Sequence, residues 1–252
     1  MGNDCRPKSF IFAIMKKIAM IPARYDASRF PGKLMKKLGD KTVIRRVYEA
    51  TLQSGLFDDV VIVTDSDIIE EEIRAINGHV IRSKKEHESG SDRIAEAAVN
   101  LDVDIIINVQ GDEPFIQREP LEKLIRLFDN DSVQVGSLMR KITSEKELNA
   151  ISSVKVVVNK NNDALYFSRS VIPFAANSTL KAQHYLHIGV YGFRKEALLR
   201  FTNWHTAELE RIEKLEQLRY LENGIPIRMA LVDFKSVAID TPEDLEKAKM
   251  LL

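Results

Sequence analysis

The chain has 252 residues, 44% hydrophobic and 29% charged, which fits a globular protein with one large domain, or one domain carrying a substantial insertion. Lys+Arg and Asp+Glu both number 37, so the net charge is zero and nothing electrostatic argues for nucleic acid or an anionic membrane as partner. Cys5 is the only cysteine, which excludes an intramolecular disulfide and a cysteine-based zinc site and points to a reducing, cytoplasmic setting.

Residues 1–14 include the apolar run Ser9–Ile14, too short to span a bilayer and followed by Lys16-Lys17. They mimic a weak signal peptide without a small-residue cleavage site, and Arg6 stands where N-myristoylation needs Ser or Thr. Met15-Lys16-Lys17-Ile18 reads as a more natural start, so 1–14 is expected to be an extension without function. Residues 15–252 are then expected to form a single domain.

Ile18–Pro22 is a short apolar strand leading into a Pro/Gly/basic loop that runs to Lys33. Val43–Ser54 has helical spacing and stops at Gly55, and Val60–Thr64 reads as a buried strand. A helix over Asp67–Asn77 ends at Gly78, and another covers Ser91–Asn100. Asp104–Val109 is a further aliphatic strand that opens into Gly111-Asp112-Glu113-Pro114. This alternation predicts an α/β fold with a mostly parallel central sheet covered on both faces. Ligands bind such sheets beyond the carboxyl ends of the strands, here after Pro22, Thr64 and Val109. From Val133 to about residue 195 the pattern changes to strands (133–139, 154–159, 165–168, 188–193), predicting a smaller antiparallel extension, a lid or dimer surface. A helix over Glu208–Asn223, a strand over Ile227–Leu231 and a helix over Thr241–Leu252 complete the prediction.

Three segments carry chemistry. The loop Ala23–Lys33 places Arg24, Arg29 and Lys33 around Gly32, the fork, ammonium and close backbone that a polyanionic triphosphate needs. It is neither a Walker loop nor a GxGxxG turn. A solvated basic loop is the plainer reading. Asp112 lies just past a buried strand, where one or two carboxylates, phosphate oxygens and water suit Mg²⁺. Alternatively, Gly111-Asp112 only forms a turn. In Asp240-Thr241-Pro242-Glu243-Asp244, helix capping by Asp240 or Thr241 accounts for the whole motif unless Asp240 meets a second carboxylate such as Asp112.

Taken together with His87-Glu88-Ser89-Gly90-Ser91-Asp92-Arg93, Asn108-Val109-Gln110-Gly111-Asp112-Glu113-Pro114, Leu165–Arg169, His187–Phe193 and Leu215–Arg219, these strings resemble the 3-deoxy-manno-octulosonate (Kdo) cytidylyltransferases, in order from about Lys17 to the C-terminus. The resemblance implies a Rossmann-like nucleotidyltransferase fold and a cytoplasmic homodimer supplying lipopolysaccharide biosynthesis. The implied reaction joins CMP from CTP to Kdo, an acidic 2-keto-3-deoxy sugar, and releases pyrophosphate. Catalytic roles fall to Arg24, Lys33, Asp112 and Asp240, with Mg²⁺ on Asp112 and Asp240. Substrate contacts are implied for Arg29, Arg93, Gln110, Arg169, His187, Tyr191, Glu216 and Gln217. His79, His87, His184 and His205 receive no role. Asp26-Ala27-Ser28-Arg29-Phe30 departs from the family's usual Ala-Ser-Thr-Arg-Leu, segment 174–185 is short, and the loop before Asp240 lacks glycines. An 8-amino analogue of Kdo, a sialic-type sugar, and a non-catalytic nucleotide-binding protein are the alternatives.

Overall fold

The computed structural model describes residues 15–26, 29–85, 87, 89–176, 182–235 and 237–252. The expected extension 1–14 lies outside the described residues, as do Ala27, Ser28 and Glu88 of the quoted motifs and 177–181 of the short segment.

In chain order the strands are β1 (Lys17–Ala23), β2 (Lys37–Leu38), β3 (Lys41–Thr42), β4 (Asp59–Thr64), β5 (His79–Arg82), β6 (Ile105–Asn108), β7 (Val135–Lys141), β8 (Lys155–Val158), β9 (Ala164–Ser168), β10 (Tyr185–Arg194) and β11 (Ile227–Leu231). The helices are α1 (Val43–Gln53), α2 (Asp67–Arg74), α3 (Gly90–Ala98), α4 (Arg118–Arg126), α5 (Glu145–Asn149), α6 (Lys195–Phe201), α7 (Glu208–Glu213), α8 (Leu218–Glu222) and α9 (Pro242–Lys249). Nine strands form one sheet in the order β11-β7-β10-β6-β1-β4-β5, with β8 paired to β10 and β9 to β8. β6, β1, β4 and β5 are mutually parallel, and β11 is parallel to β7. β10 runs antiparallel to both β6 and β7.

The aliphatic runs explain this architecture. Along β1, Ala19 and Ile21 enter one core with residues of α1, α2, α4 and α9, while Ile18 and Met20 enter a second core with α3, α6 and α8. A strand that buries both faces needs no polar alternation, and each fully buried aliphatic side chain contributes about 1.5–3 kcal/mol. Short polar side chains start the helices: Thr42 accepts from Arg45 N, Ser66 from Ile69 N and Ser89 from Asp92 N.

One expected helix is corrected. The helix predicted over Glu208–Asn223 is broken into α7 and α8, because Lys214 adopts a left-handed conformation at φ 53° and ends α7. Within this stretch Leu215 and Leu218 are buried, while Ile212 is 69% exposed. Within 133–195, β7 and β10 join the main sheet, and β8 and β9 branch from it as the expected antiparallel extension. β5, α4 and α6 were not predicted.

Candidate active site

The loops after β1 and β6 and the turn into α3 meet at Pro22. A Cβ on Gly111 would stand 3.0 Å from the Pro22 carbonyl oxygen, and one on Gly90 would stand 3.0 Å from Pro22 Cγ. Both glycines thus sit in tight contact with Pro22, Gly111 against its backbone and Gly90 against its ring. The loop after β1 closes through Gly32 N, which donates to Tyr25 O at 3.0 Å. Gly32 has a φ of 66°, and the Tyr25 ring lies 3.2 Å from its absent Cβ. Lys33 then opens a single 3-10 turn.

That geometry delivers the Lys33 ammonium between two acids. Nζ donates to Asp112 Oδ2 at 2.5 Å and to Asp240 Oδ1 at 2.9 Å, and Arg29 Nη2 lies 3.1 Å from Asp240 Oδ2. Burial alone would lower the Lys33 pKa, but Asp112 and Asp240 outweigh it and hold the ammonium above its ordinary value. The loops that carry the two carboxylates are joined by the backbone, where Ile239 N donates to Asp112 O at 2.9 Å. The capping alternative for Asp240 is resolved as well. Thr241 caps α9, accepting from Asp244 N while Asp244 Oδ2 accepts from Thr241 N, which leaves Asp240 to Lys33 and Arg29.

The cleft has a volume of about 220 Å³, and Arg24, Arg29, Lys33, Arg93, Gln110, Asp112 and Asp240 all line it. Seven of the twelve predicted site residues thus share one wall-to-wall cavity. Phe30, His87 and Ser89 line it too. His87 had received no role, although its motif was noted; its Nε2 meets Glu96 Oε2 at 2.8 Å, which orients the ring. The loop after Thr64 contributes indirectly: Asp65 Oδ2 accepts from Arg93 Nη2 at 2.9 Å. Asp26 faces an adjoining hollow with Arg24, Tyr25 and Asp65 and does not line the triphosphate-sized cleft.

Four other predicted residues form a buried layer that begins one residue from the wall. Ser91, next to Gly90, donates to Glu216 Oε1 at 2.8 Å. Burial raises the pKa of Glu216 and pushes the Tyr191 phenol well above its ordinary value, with the Glu216 charge adding to the Tyr191 shift. The Tyr191 ring lies 5.3 Å from His187, whose Nε2 meets Ser137 Oγ at 3.0 Å. Half-buried overall, the His187 ring sits among Phe167, Tyr191 and Ser137, and burial pushes it down to about 3. It is neutral at physiological pH. Gln217, beside Glu216, is buried in the link between α7 and α8. Arg93 Nη1, Asn108 Nδ2, Glu216 Oε2 and Gln217 Nε2 are buried without a hydrogen-bond partner among the described residues. Orphaned polar atoms around a cleft mark places where ligand groups fit.

Arg169 is placed elsewhere. Its Nε donates to Glu213 O at 3.0 Å, Nη1 to Ile151 O at 3.1 Å and Nη2 to Lys214 O at 3.5 Å. The guanidinium is spent on backbone carbonyls and does not line the cleft, so the expected substrate contact is not displayed there.

The donor set also bears on a metal. Two carboxylates from separate loops within 3 Å of one cationic nitrogen already hold a positive charge between them, and an oxygen-only pair of acids suits Mg²⁺ completed by phosphate and water. Groups of three or more metal-ligating side chains are absent among the described residues, which is no obstacle for an ion that takes one or two carboxylates.

Known proteins resemble the chain along most of its length. The family model described as cytidylyltransferase matches residues 18–229. The 3-deoxy-manno-octulosonate cytidylyltransferase of Flavobacterium johnsoniae is 55% identical over 241 residues, covering 94% of this chain and 99% of that protein. The enzyme of the same name from Bacteroides thetaiotaomicron is 43% identical, with 94% and 98% covered. A solved structure of CMP:2-keto-3-deoxy-manno-octonic acid synthetase in complex with CTP superposes with a TM-score of 0.89 at 39% identity, covering 94% of this chain and 98% of that one. Matched by these relatives along 94% of its length, the chain belongs to the 3-deoxy-manno-octulosonate cytidylyltransferase family of nucleotidyltransferases.

Proposed function

We propose that this protein transfers CMP from CTP to Kdo, forming CMP-Kdo and pyrophosphate for lipopolysaccharide biosynthesis. The observation that carries the reading is the meeting of Lys33, Asp112 and Asp240 beside Arg24 and Arg29 in one cleft. In the reaction the anomeric oxygen of the sugar bonds to the α-phosphorus. The bond from that phosphorus to the bridging oxygen breaks, the hydroxyl proton leaves, and pyrophosphate departs.

Arg24, Arg29 and Lys33 bind the triphosphate and take up charge on the departing pyrophosphate, with donors preorganised by the Gly32 turn. Arg93, anchored by Asp65, offers its unpartnered Nη1 to the nucleotide. Gln110, held by Gly189 O at 3.2 Å, orients the substrates at the end of β6. Glu216, Gln217, Tyr191 and His187 meet sugar hydroxyls, where each unmatched hydrogen bond costs about 1–3 kcal/mol. Asp112 and Asp240 would hold Mg²⁺, which when bound would supply positive charge and Lewis acidity at the reacting groups.

The protein works as a cytoplasmic homodimer in this reading. Among the described residues no helix is long and apolar enough to cross a membrane. Ile151, Phe174 and Ile212 are 76%, 85% and 69% exposed, and Arg169 gathers the segments that carry Ile151 and Ile212. An apolar surface of this kind fits a second copy.

The test is pyrophosphate release with CTP and Mg²⁺ against Kdo, 8-amino-Kdo and sialic acid in parallel. Kdo is expected to be turned over fastest; equal rates with sialic acid would overturn the sugar assignment. Asp112→Asn is expected to lower kcat by at least about 10²-fold with an unchanged melting temperature. A near-normal rate in that variant removes Asp112 from the metal site.

A further inference from the structure

We propose that Lys33 is a resident counter-cation that excludes divalent metal from the Asp112–Asp240 pair until a nucleoside triphosphate arrives, so that metal binding is conditional on nucleotide. The inference rests on the cytidylyltransferase reading of the cleft and deepens it.

The charges in contact are already balanced. Two carboxylates face one ammonium, at 2.5 and 2.9 Å, and one guanidinium, at 3.1 Å. A free divalent ion entering this pair gains two partners that are taken and meets like charge at close range. A triphosphate changes the balance by bringing several negative charges and many acceptor oxygens. Lys33 and Arg29 then have better partners than the acids, and the carboxylates are released to a metal that also touches phosphate.

The geometry says which group moves. The backbone that carries the carboxylates is fixed: Ile239 N donates to Asp112 O, Gly111 packs against the Pro22 carbonyl, and the α9 cap holds Thr241 next to Asp240. The Lys33 backbone is fixed too, since its amide donates to Phe30 O at 3.1 Å and its carbonyl accepts from Lys36 N at 3.1 Å. The mobile part is the four-carbon stem with its rotatable ammonium. An exchange of Nζ from carboxylate to phosphate needs no backbone rearrangement.

Mn²⁺ serves as the probe, followed by the enhancement of water proton relaxation, with CTP and Mn²⁺ lacking protein as blank. The full chain is expected to bind Mn²⁺ at least tenfold more weakly without CTP than with it. Lys33→Gln is expected to bind Mn²⁺ alone at least tenfold more tightly than the unaltered chain, while Lys33→Arg retains the weak binding. The melting temperature of Lys33→Gln should rise with Mn²⁺ alone, which also reports that the variant is folded. Equal affinity of the unaltered chain for Mn²⁺ with and without CTP overturns the proposal, and so does equal affinity of a folded Lys33→Gln and the unaltered chain for Mn²⁺ alone. If CTP does not bind at all, the proposal falls together with the cytidylyltransferase reading, and that outcome is distinguished by nucleotide binding measured without metal.

Discussion

Glu216 was legible only as part of a motif, and its setting gives it a measurable titration signature. Its Oε1 receives Ser91, its Oε2 lacks a partner among the described residues, and burial, with the nearby Asp92 charge adding, raises its pKa above the ordinary 4.5. A carboxyl raised on folding favours the folded state when protonated. Its contribution is therefore present below about pH 4.5 and is lost as pH climbs through the raised value. Above its raised value the carboxyl is a buried charge carried at a cost. Glu216→Gln is expected to melt higher than the unaltered chain at pH 8, with the two curves converging below about pH 4.5. The same variant should raise the KM for the sugar. A lower melting point at pH 8 would show that the ionised carboxylate is stabilised by contacts other than Ser91.

The broken helix shows what periodicity can and cannot reveal at the scale of an element. Leu209, Leu215 and Leu218 fall at helical spacing, so the sequence reads as continuous; the left-handed Lys214 is invisible to a pattern of apolar positions because lysine is an ordinary helix former. Long aliphatic strands such as β1, β4 and β6 were readable because both their faces are buried. β5 was missed for its brevity and exposed ends, and α4 for burying only Pro120, Leu121 and Leu124. The phosphate loop and the two acids were found from residue type and neighbours, yet their meeting spans 207 positions in the chain and only the fold supplies it. Arg169 was misplaced because a motif names a residue but not its acceptors. Across the break, Arg219 Nε and Nη2 donate to Glu210 at 2.7 and 2.6 Å, and its guanidinium lies 4.0 Å from the Phe201 ring. This buried pair fixes the link that displays Glu216 and Gln217. Glu210→Ala leaves Arg219 buried and uncompensated and is expected to cost about 3–5 kcal/mol by denaturant unfolding. A loss under 1 kcal/mol would mean that water reaches Arg219 in the folded chain.

At the scale of the whole molecule, Ile151, Leu165, Val171, Phe174 and Ile212 are exposed on or beside the part of the chain that branches from the sheet, while Leu52, Ile68, Val99 and Met250 are exposed on other faces. Phe174→Glu combined with Ile212→Glu is expected to convert a dimer of about twice 28.7 kDa into a monomer in light scattering, with the fold retained. An unaltered mass would place the subunit contact on another face. The crowding of Gly90 and Gly111 around Pro22 has its own consequence. Three connections from different parts of the chain touch through backbone and ring atoms, with little room for a methyl group between them. Segments clamped so tightly cannot open one at a time. Amide hydrogens in 89–93 and 109–113 should therefore exchange with deuterium through shared openings, so the pocket breathes as a unit or not at all.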